Sequence, residues 1–161
     1  MSARRGIHFT AVLLLAGCAA KPVTAPAVAT AAAPPSAEAA VALGPLADAS
    51  LPAGSCGMIL WTLDESRPAP VFRYIAGNKA EIAIDGRPIE LTRIEGSGAT
   101  GFGVFERQTF SGPEGLTVKV ESRFSLGFDG GSYLERGLVS VASPDGWKAV
   151  SPAAGIAGCR N

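Results

Sequence analysis

The side chains that could do chemistry in this 161-residue chain are few: one histidine and three cysteines. Catalytic triads and many metal sites use imidazole, and the single imidazole, that of His8, lies in an apolar N-terminal segment. A hydrolase without histidine would need two carboxyl groups that face one pocket. The acidic residues considered for that role fall in expected turns or on polar strand faces, where we expect solvated charges: Asp64, Glu65, Glu81, Asp85, Glu106, Glu121, Asp129 and Glu135.

The first seventeen residues have the three-part pattern of an export signal. Arg4 and Arg5 precede an apolar run, which is shorter than the ~20 residues that span a bilayer, and small residues lead to Cys18. The stretch Leu15-Ala16-Gly17-Cys18 resembles the lipobox of bacterial lipoproteins. The resemblance implies cleavage before Cys18 and acylation of that cysteine with several chains such as palmitate, enough for stable anchoring. An ordinary signal peptide cut near Ala16 is the alternative.

Further expectations follow from removal of residues 1–17. Ala19, directly after the cysteine, resembles the outer-membrane sorting pattern, so we expect a lipid-anchored chain facing the periplasm. Loss of Arg4 and Arg5 from fourteen basic residues leaves twelve against fourteen acidic ones, a net charge of −2. Nucleic-acid binding needs a concentrated basic surface, so no nucleic-acid partner is expected.

Removal of residues 1–17 also removes His8, the single histidine of the chain. Without an imidazole ligand we expect no metal site, and we expect no cofactor.

The two other cysteines form the second constraint. If Cys18 carries lipid, Cys56 and Cys159 remain as an even pair in an oxidising compartment. The sequence therefore predicts a disulfide between them, and two buried free thiols are the alternative. If the two cysteines pair with each other, no free thiol remains, so we expect no thiol nucleophile.

Composition divides the mature chain into a tether and a head. Residues 18–50 hold the lipidated cysteine and an Ala/Pro-rich segment in which prolines at 22, 26, 34, 35 and 45 interrupt helix formation. Such a segment is typical of an extended, disordered linker. Residues 51–161 have short apolar runs separated by turn signals, which indicates a β domain.

About eight strands are predicted in this domain. The first is apolar on both faces, as expected of a central strand or of a strand at a barrel closure, and the sixth alternates strictly, with Leu126 on its apolar face. Asp85-Gly86 predicts a two-residue hairpin, Gly96–Gly101 is expected to be a flexible loop, and Ala153–Cys159 a tail that returns to Cys56. The strands are expected at residues 57–63, 71–76, 80–84, 89–94, 102–110, 116–126, 132–142 and 147–150.

This order predicts an all-β fold, a small antiparallel up-and-down barrel with one disulfide. Joining the first strand to the end of the chain would remove both exposed sheet edges. A two-sheet sandwich is the alternative.

Two loops are candidate binding sites, because aromatic residues there flank mobile polar segments. One contains Phe128, Asp129, Ser132 and Tyr133, and the other contains Trp147 and Lys148. Aromatic rings that merely cap the barrel are the alternative.

Two further resemblances concern the head. The lipidated cysteine, tether, β head and disulfide resemble the membrane-bound C-type lysozyme inhibitors, as do Gly130-Gly131-Ser132-Tyr133 and Trp147-Lys148. That resemblance implies Ser132 and Lys148 as inhibitor contacts, although the paired glycine-flanked serines are missing and the Trp–Lys spacing differs. The ends of the domain, Cys56-Gly-Met-Ile-Leu-Trp-Thr and Ala-Gly-Ile-Ala-Gly-Cys159, resemble a family of small uncharacterised alphaproteobacterial proteins and imply no function.

The functional expectation is a non-catalytic envelope lipoprotein. Its head would bind an envelope protein or a cell-wall component. Lysozyme inhibition is the alternative, and a carboxylate-based hydrolase is the third hypothesis.

Overall fold

A computed structural model describes residues 43–64, 66–77 and 79–161. The predicted signal peptide, the lipobox, Cys18 and the tether up to residue 42 lie outside the described residues. The only helical element in the described part is a 3-10 turn, Pro113–Gly115. No helix in these stretches is long and apolar enough to cross a membrane.

The described chain is built from strands. Their bounds are β1 Leu43–Gly44, β2 Cys56–Thr62, β3 Pro70–Ile75, β4 Lys79–Ile84, β5 Arg87–Gly101, β6 Val104–Ser111, β7 Thr117–Phe128, β8 Gly131–Ala142 and β9 Lys148–Cys159. From β2 to β9 each strand pairs antiparallel with the next, and β9 pairs with β2. The predicted all-β fold is therefore confirmed as a closed up-and-down barrel of eight strands, and the sandwich alternative is wrong.

The barrel closes along a ladder that we call the seam. It pairs β2 with β9 from Cys56 opposite Cys159 to Thr62 opposite Ala153. The predicted disulfide is confirmed, and it joins the first pair of this ladder across a sequence separation of 103 residues. A crosslink over a loop of ~100 residues stabilises a fold by about 4.7 kcal/mol in the chain-entropy model.

The sequence predicted one of two turns correctly and the other wrongly. The Asp85-Gly86 hairpin is confirmed, since both residues have positive φ, at 49° and 76°. The expected flexible loop at Gly96–Gly101 is wrong, because these residues belong to β5 and pair with β6. The turn follows at Phe102-Gly103, with φ of 54° and 74°. Phenylalanine is not a typical turn residue, but this ring packs against the interior cluster.

Two other expectations required correction. Ala153–Cys159, expected as a tail, is the second half of the long strand β9. Leu126, expected on the buried face of β7, is 75% exposed. A register shift between Phe124 and Gly127 disturbs the β7–β8 ladder. Such an irregularity changes which way the following side chains point.

Side chains fill the barrel interior. The ring of Phe110 meets those of Phe72 and Tyr74 edge-on, with centroids 5.2 and 5.4 Å apart, an arrangement favoured by the ring quadrupoles. Toward the disulfide end, the Arg93 guanidinium lies 5.1 Å from the centroids of Tyr74 and Phe105. It also donates to the side-chain oxygen of buried Gln108 at 3.1 Å. The core is therefore apolar at its centre and hydrogen-bonded near that end.

A segment that we call the strap, residues 45–55, lies on the outside of the barrel. The sequence assigned residues 43–50 to the tether, but β1 pairs with β4, and Leu46 and Leu51 are buried. The amide of Leu46 donates to Pro70 O at 2.7 Å, and Arg160 donates to Leu51 O at 2.8 Å. The side chain of Leu51 lies against β2, where a Cβ atom on Gly57 would come within 3.1 Å of it, and Leu51 and Ile59 line the same groove. The strap therefore covers part of the outer face of the sheet.

Two buried hydroxyl groups allow a matched test of the interior. Ser122 Oγ has no hydrogen-bond partner in the described chain, whereas Ser132 Oγ donates to Ser125 O at 3.2 Å. An unpaired buried hydroxyl retains its desolvation cost, and a paired one contributes about 1 kcal/mol. We expect Ser122→Ala to leave the free energy of unfolding unchanged or to raise it, and Ser132→Ala to lower it by about 1 kcal/mol. Urea unfolding of both variants measures this, and the opposite order would contradict the assignment.

Candidate functional site

The structure places the two candidate loops at opposite ends of the barrel. Phe128 and Tyr133 flank the β7–β8 turn beside the disulfide, whereas Trp147 precedes β9 and Lys148 begins it at the other end of the barrel. The part of β8 from Tyr133 to Ala142 separates them, about 30 Å at ~3.3 Å per residue. No single binding surface combines these loops.

The Trp147 loop closes its end of the barrel. Trp147 is half-buried and packs against the interior cluster, and Lys148 points into solvent. A hollow of about 350 Å³ beside the indole is bounded by the β6–β7 loop. For this ring the structure supports the capping role rather than a protruding contact.

The β7–β8 turn presents its aromatic residues differently. Phe128 and Tyr133 are 41% and 51% exposed, and their ring centroids lie 5.1 Å apart. The ring of Phe128 lies over Gly131, where a Cβ atom would come within 2.3 Å of its Cζ. Glycine at 131 thus lets the two rings meet on the outer surface of the barrel.

A groove runs along the outside of the seam next to this aromatic pair. It has a volume of about 370 Å³ and lies between the strap and the β7–β8 turn. Its floor contains Ile59 and Ile156, which face each other across the seam. We call it the seam groove, and its lining is Ser50, Leu51, Ile59, Phe128, Asp129, Gly130, Ile156, Gly158, Cys159 and Arg160.

Two charged residues line the seam groove, and they have opposite signs. Asp129 stands at the tip of the β7–β8 turn, and Arg160 follows β9. Both are exposed, and the ion pairs of the described residues, Arg73–Glu81 and Lys79–Glu90, include neither of them. The groove is therefore apolar along its floor, with one acid and one base on its rim.

The other carboxylates considered for catalysis do not reach this groove. Glu81 pairs with Arg73 at 2.5 Å, and Glu135 accepts from Ser125 Oγ at 2.7 Å, both on the outer surface. Glu65 lies outside the described residues. Among the described residues, no three His, Cys, Asp or Glu side chains gather as metal ligands.

Two exposed carboxyl groups have shifted pKa values. The amide and hydroxyl of Ser50 donate to Asp48 and lower its pKa below the usual 3.8. The hydroxyl and amide of Ser66 lower the pKa of Asp64 in the same way. A general acid at neutral pH needs a raised pKa, so these hydrogen bonds act against that role and stabilise two turns.

Ser132 and Lys148, the contacts implied by the lysozyme-inhibitor resemblance, are not brought together. Ser132 is 8% exposed, and its hydroxyl is engaged with backbone carbonyl groups near the β7 irregularity. Lys148 begins β9 at the other end of the barrel. One partner surface would have to span the full length of β8 to contact both.

Sequence reasoning identified Phe128, Asp129 and Tyr133 but missed the rest of the seam groove. Ile59 was predicted as a residue of the first strand, Ile156 as part of the tail, and Leu51 as the start of the head. The sequence did contain a signal for the floor of the groove. The first strand is apolar on both faces, so its outward apolar side chains need to be covered as well as its inward ones.

Comparisons with known protein families, with curated proteins and with solved structures found no match.

The stacking of Phe128 over Gly131 yields a second matched test. We expect Gly131→Ala to displace the ring, because the new Cβ would also lie 2.8 Å from Ala157 O. Overpacking of this kind costs about 1–3 kcal/mol. Gly127→Ala is the control, since its nearest atom lies 3.8 Å from the new Cβ. Loss of Phe128–Tyr133 ring contacts by NMR in the first variant alone is expected, and equal contacts in both would contradict the placement of the ring.

Proposed function

We propose that this protein is an outer-membrane lipoprotein, anchored through Cys18, whose barrel binds an envelope protein in the periplasm without catalysis. The observation that carries the binding proposal is the exposed aromatic pair, Phe128 and Tyr133, at the edge of an apolar groove. Exposed apolar clusters beside a groove are typical of interaction surfaces. Leu126, 75% exposed on the same strand as Phe128, adds to the apolar character of this end.

A binding site on the outside of the barrel agrees with the filled interior. Met58, Leu60, Phe72 and Tyr74 are all at most 1% exposed and occupy the space that a ligand inside the barrel would need. The groove instead lies across the seam, on a surface made rigid by the β2–β9 ladder and the disulfide. Sites supported by strands hold their geometry better than sites on loops alone.

A protein partner fits the groove better than a glycan of the cell wall. The floor consists of Ile59, Ile156 and glycine, which offer no side-chain donors or acceptors for sugar hydroxyl groups. Aromatic and aliphatic contacts surrounded by a few charges are characteristic of protein interfaces. Asp129 and Arg160 supply such charges at the rim.

The anchor belongs to the proposal because of the sequence pattern at Leu15-Ala16-Gly17-Cys18. Several acyl chains hold a protein stably on a bilayer. The residues from 19 to 42 would then separate that anchor from the head.

The binding site is tested by photo-crosslinking in living cells. A photoreactive phenylalanine analogue at Tyr133 should capture a partner, whereas the same analogue at Leu63, which is 58% exposed at the other end of the barrel, should not. Adding Phe128→Ser should reduce capture from position 133 at least about tenfold, the loss that corresponds to ~1.4 kcal/mol at an interface anchor. Equal capture from both positions, or none, would reject the groove as the binding site.

The anchor is tested separately by Cys18→Ser. We expect this variant to lose incorporation of labelled palmitate and to leave the outer-membrane fraction, because no other residue would carry acyl chains. Cys56→Ser serves as the control for loss of a cysteine as such, and it should still be labelled. Labelling of the Cys18→Ser variant would contradict lipidation at this residue.

A further inference from the structure

We infer that the seam groove binds the seam groove of a second copy of this chain, so that the partner is the protein itself and the complex is a two-fold symmetric dimer. This inference rests on the proposed function, since it uses the same groove. In a two-fold interface the same patch serves on both subunits and must contain its own complement. The seam groove meets that requirement in shape and in charge.

The shape complement consists of a projection beside a recess. Phe128 and Tyr133 stand out from the β7–β8 turn, and the floor with Ile59 and Ile156 lies directly alongside. A two-fold axis through this patch would place the aromatic pair of each copy over the floor of the other. Large rings that enter an apolar recess are the usual anchors of protein interfaces.

The charge complement consists of one acid and one base. Asp129 and Arg160 both line the groove, both are exposed, and they do not form an ion pair within one copy. Under the same axis, Asp129 of each copy faces Arg160 of the other, which produces two equivalent ion pairs. Pairing across an interface favours the correct partner, because like charges brought together are strongly unfavourable.

These charges also distinguish a second copy from a lipid surface. The acid lies at the tip of the turn, between Phe128 and Gly130. Insertion of the aromatic pair into a bilayer would carry the Asp129 carboxylate with it, and burying an unpaired charge is costly. A second copy instead supplies the matching guanidinium group.

A charge exchange tests the inference in the chain from residue 18 onward, with Cys18→Ser so that no free thiol links two copies. We expect the protein to sediment as a dimer within a series that reaches about 100 µM, since specific complexes have dissociation constants well below 1 mM. Asp129→Arg and Arg160→Asp should each weaken the dimer at least tenfold, and the combined exchange should restore it to within threefold. Asp145→Arg, an acid at the other end of the barrel, should leave it unchanged.

Each sedimentation result either supports or overturns the two-fold dimer. A monomer throughout the concentration series overturns the inference, and failure of the combined exchange to restore the dimer overturns the Asp129–Arg160 pairing. Because Arg160 also donates to Leu51 O, circular dichroism must show an intact barrel in every variant. If Arg160→Asp does not fold, Asp129→Arg and Phe128→Ser decide instead, and an unweakened dimer in both overturns the inference.

Photo-crosslinking at Tyr133 in cells distinguishes failure of this inference from failure of the proposed function. A product of twice the chain mass supports both. A product that contains only a different protein keeps the proposed function and overturns the self-association. No product from position 133 overturns both.

Discussion

The pairing of β2 with β9 is the interaction on which the rest of this structure depends. It joins β2, Cys56–Thr62, to β9, and the strands between these two form the rest of the barrel wall. Closing so long a loop costs conformational entropy before any contact compensates for it. The Cys56–Cys159 bridge removes much of that cost from the unfolded state. Without the seam, the same strands would form an open sheet with two exposed edges.

The seam also creates the surface that we consider functional. The closure brings Ile59 and Ile156 side by side on the outside, where neither can reach the interior cluster. The strap covers one flank of this apolar strip, and the β7–β8 turn borders the other. What remains between them is the seam groove. Stability and recognition therefore share the same strand pair, and a change that loosens the ladder should loosen the groove with it.

Much of the fold was predictable because local patterns and long-range pairing agree. Alternation in β7 and the turn chemistry of Asp85-Gly86 have direct structural meaning, and two cysteines at the ends of the domain indicate which strands meet. The opposite placement of the Phe128 and Trp147 loops was also implicit, since a single strand, β8, separates them. The turn at Phe102-Gly103 and the exposure of Leu126 were not predictable. Both depend on packing and register against neighbouring strands rather than on local preference. The floor of the groove is formed by residues about a hundred positions apart.

Hydrogen exchange of the seam amides tests the central claim most directly. With the disulfide intact, the amides that pair residues 57–61 with residues 154–158 should be as protected as those between β7 and β8, because both ladders belong to one closed barrel. Reduction of the disulfide should accelerate exchange at the seam first, while the β7–β8 ladder stays protected. Seam amides that exchange as fast as the turns while the disulfide is intact would show an open sheet and would contradict both the closure and the groove built on it.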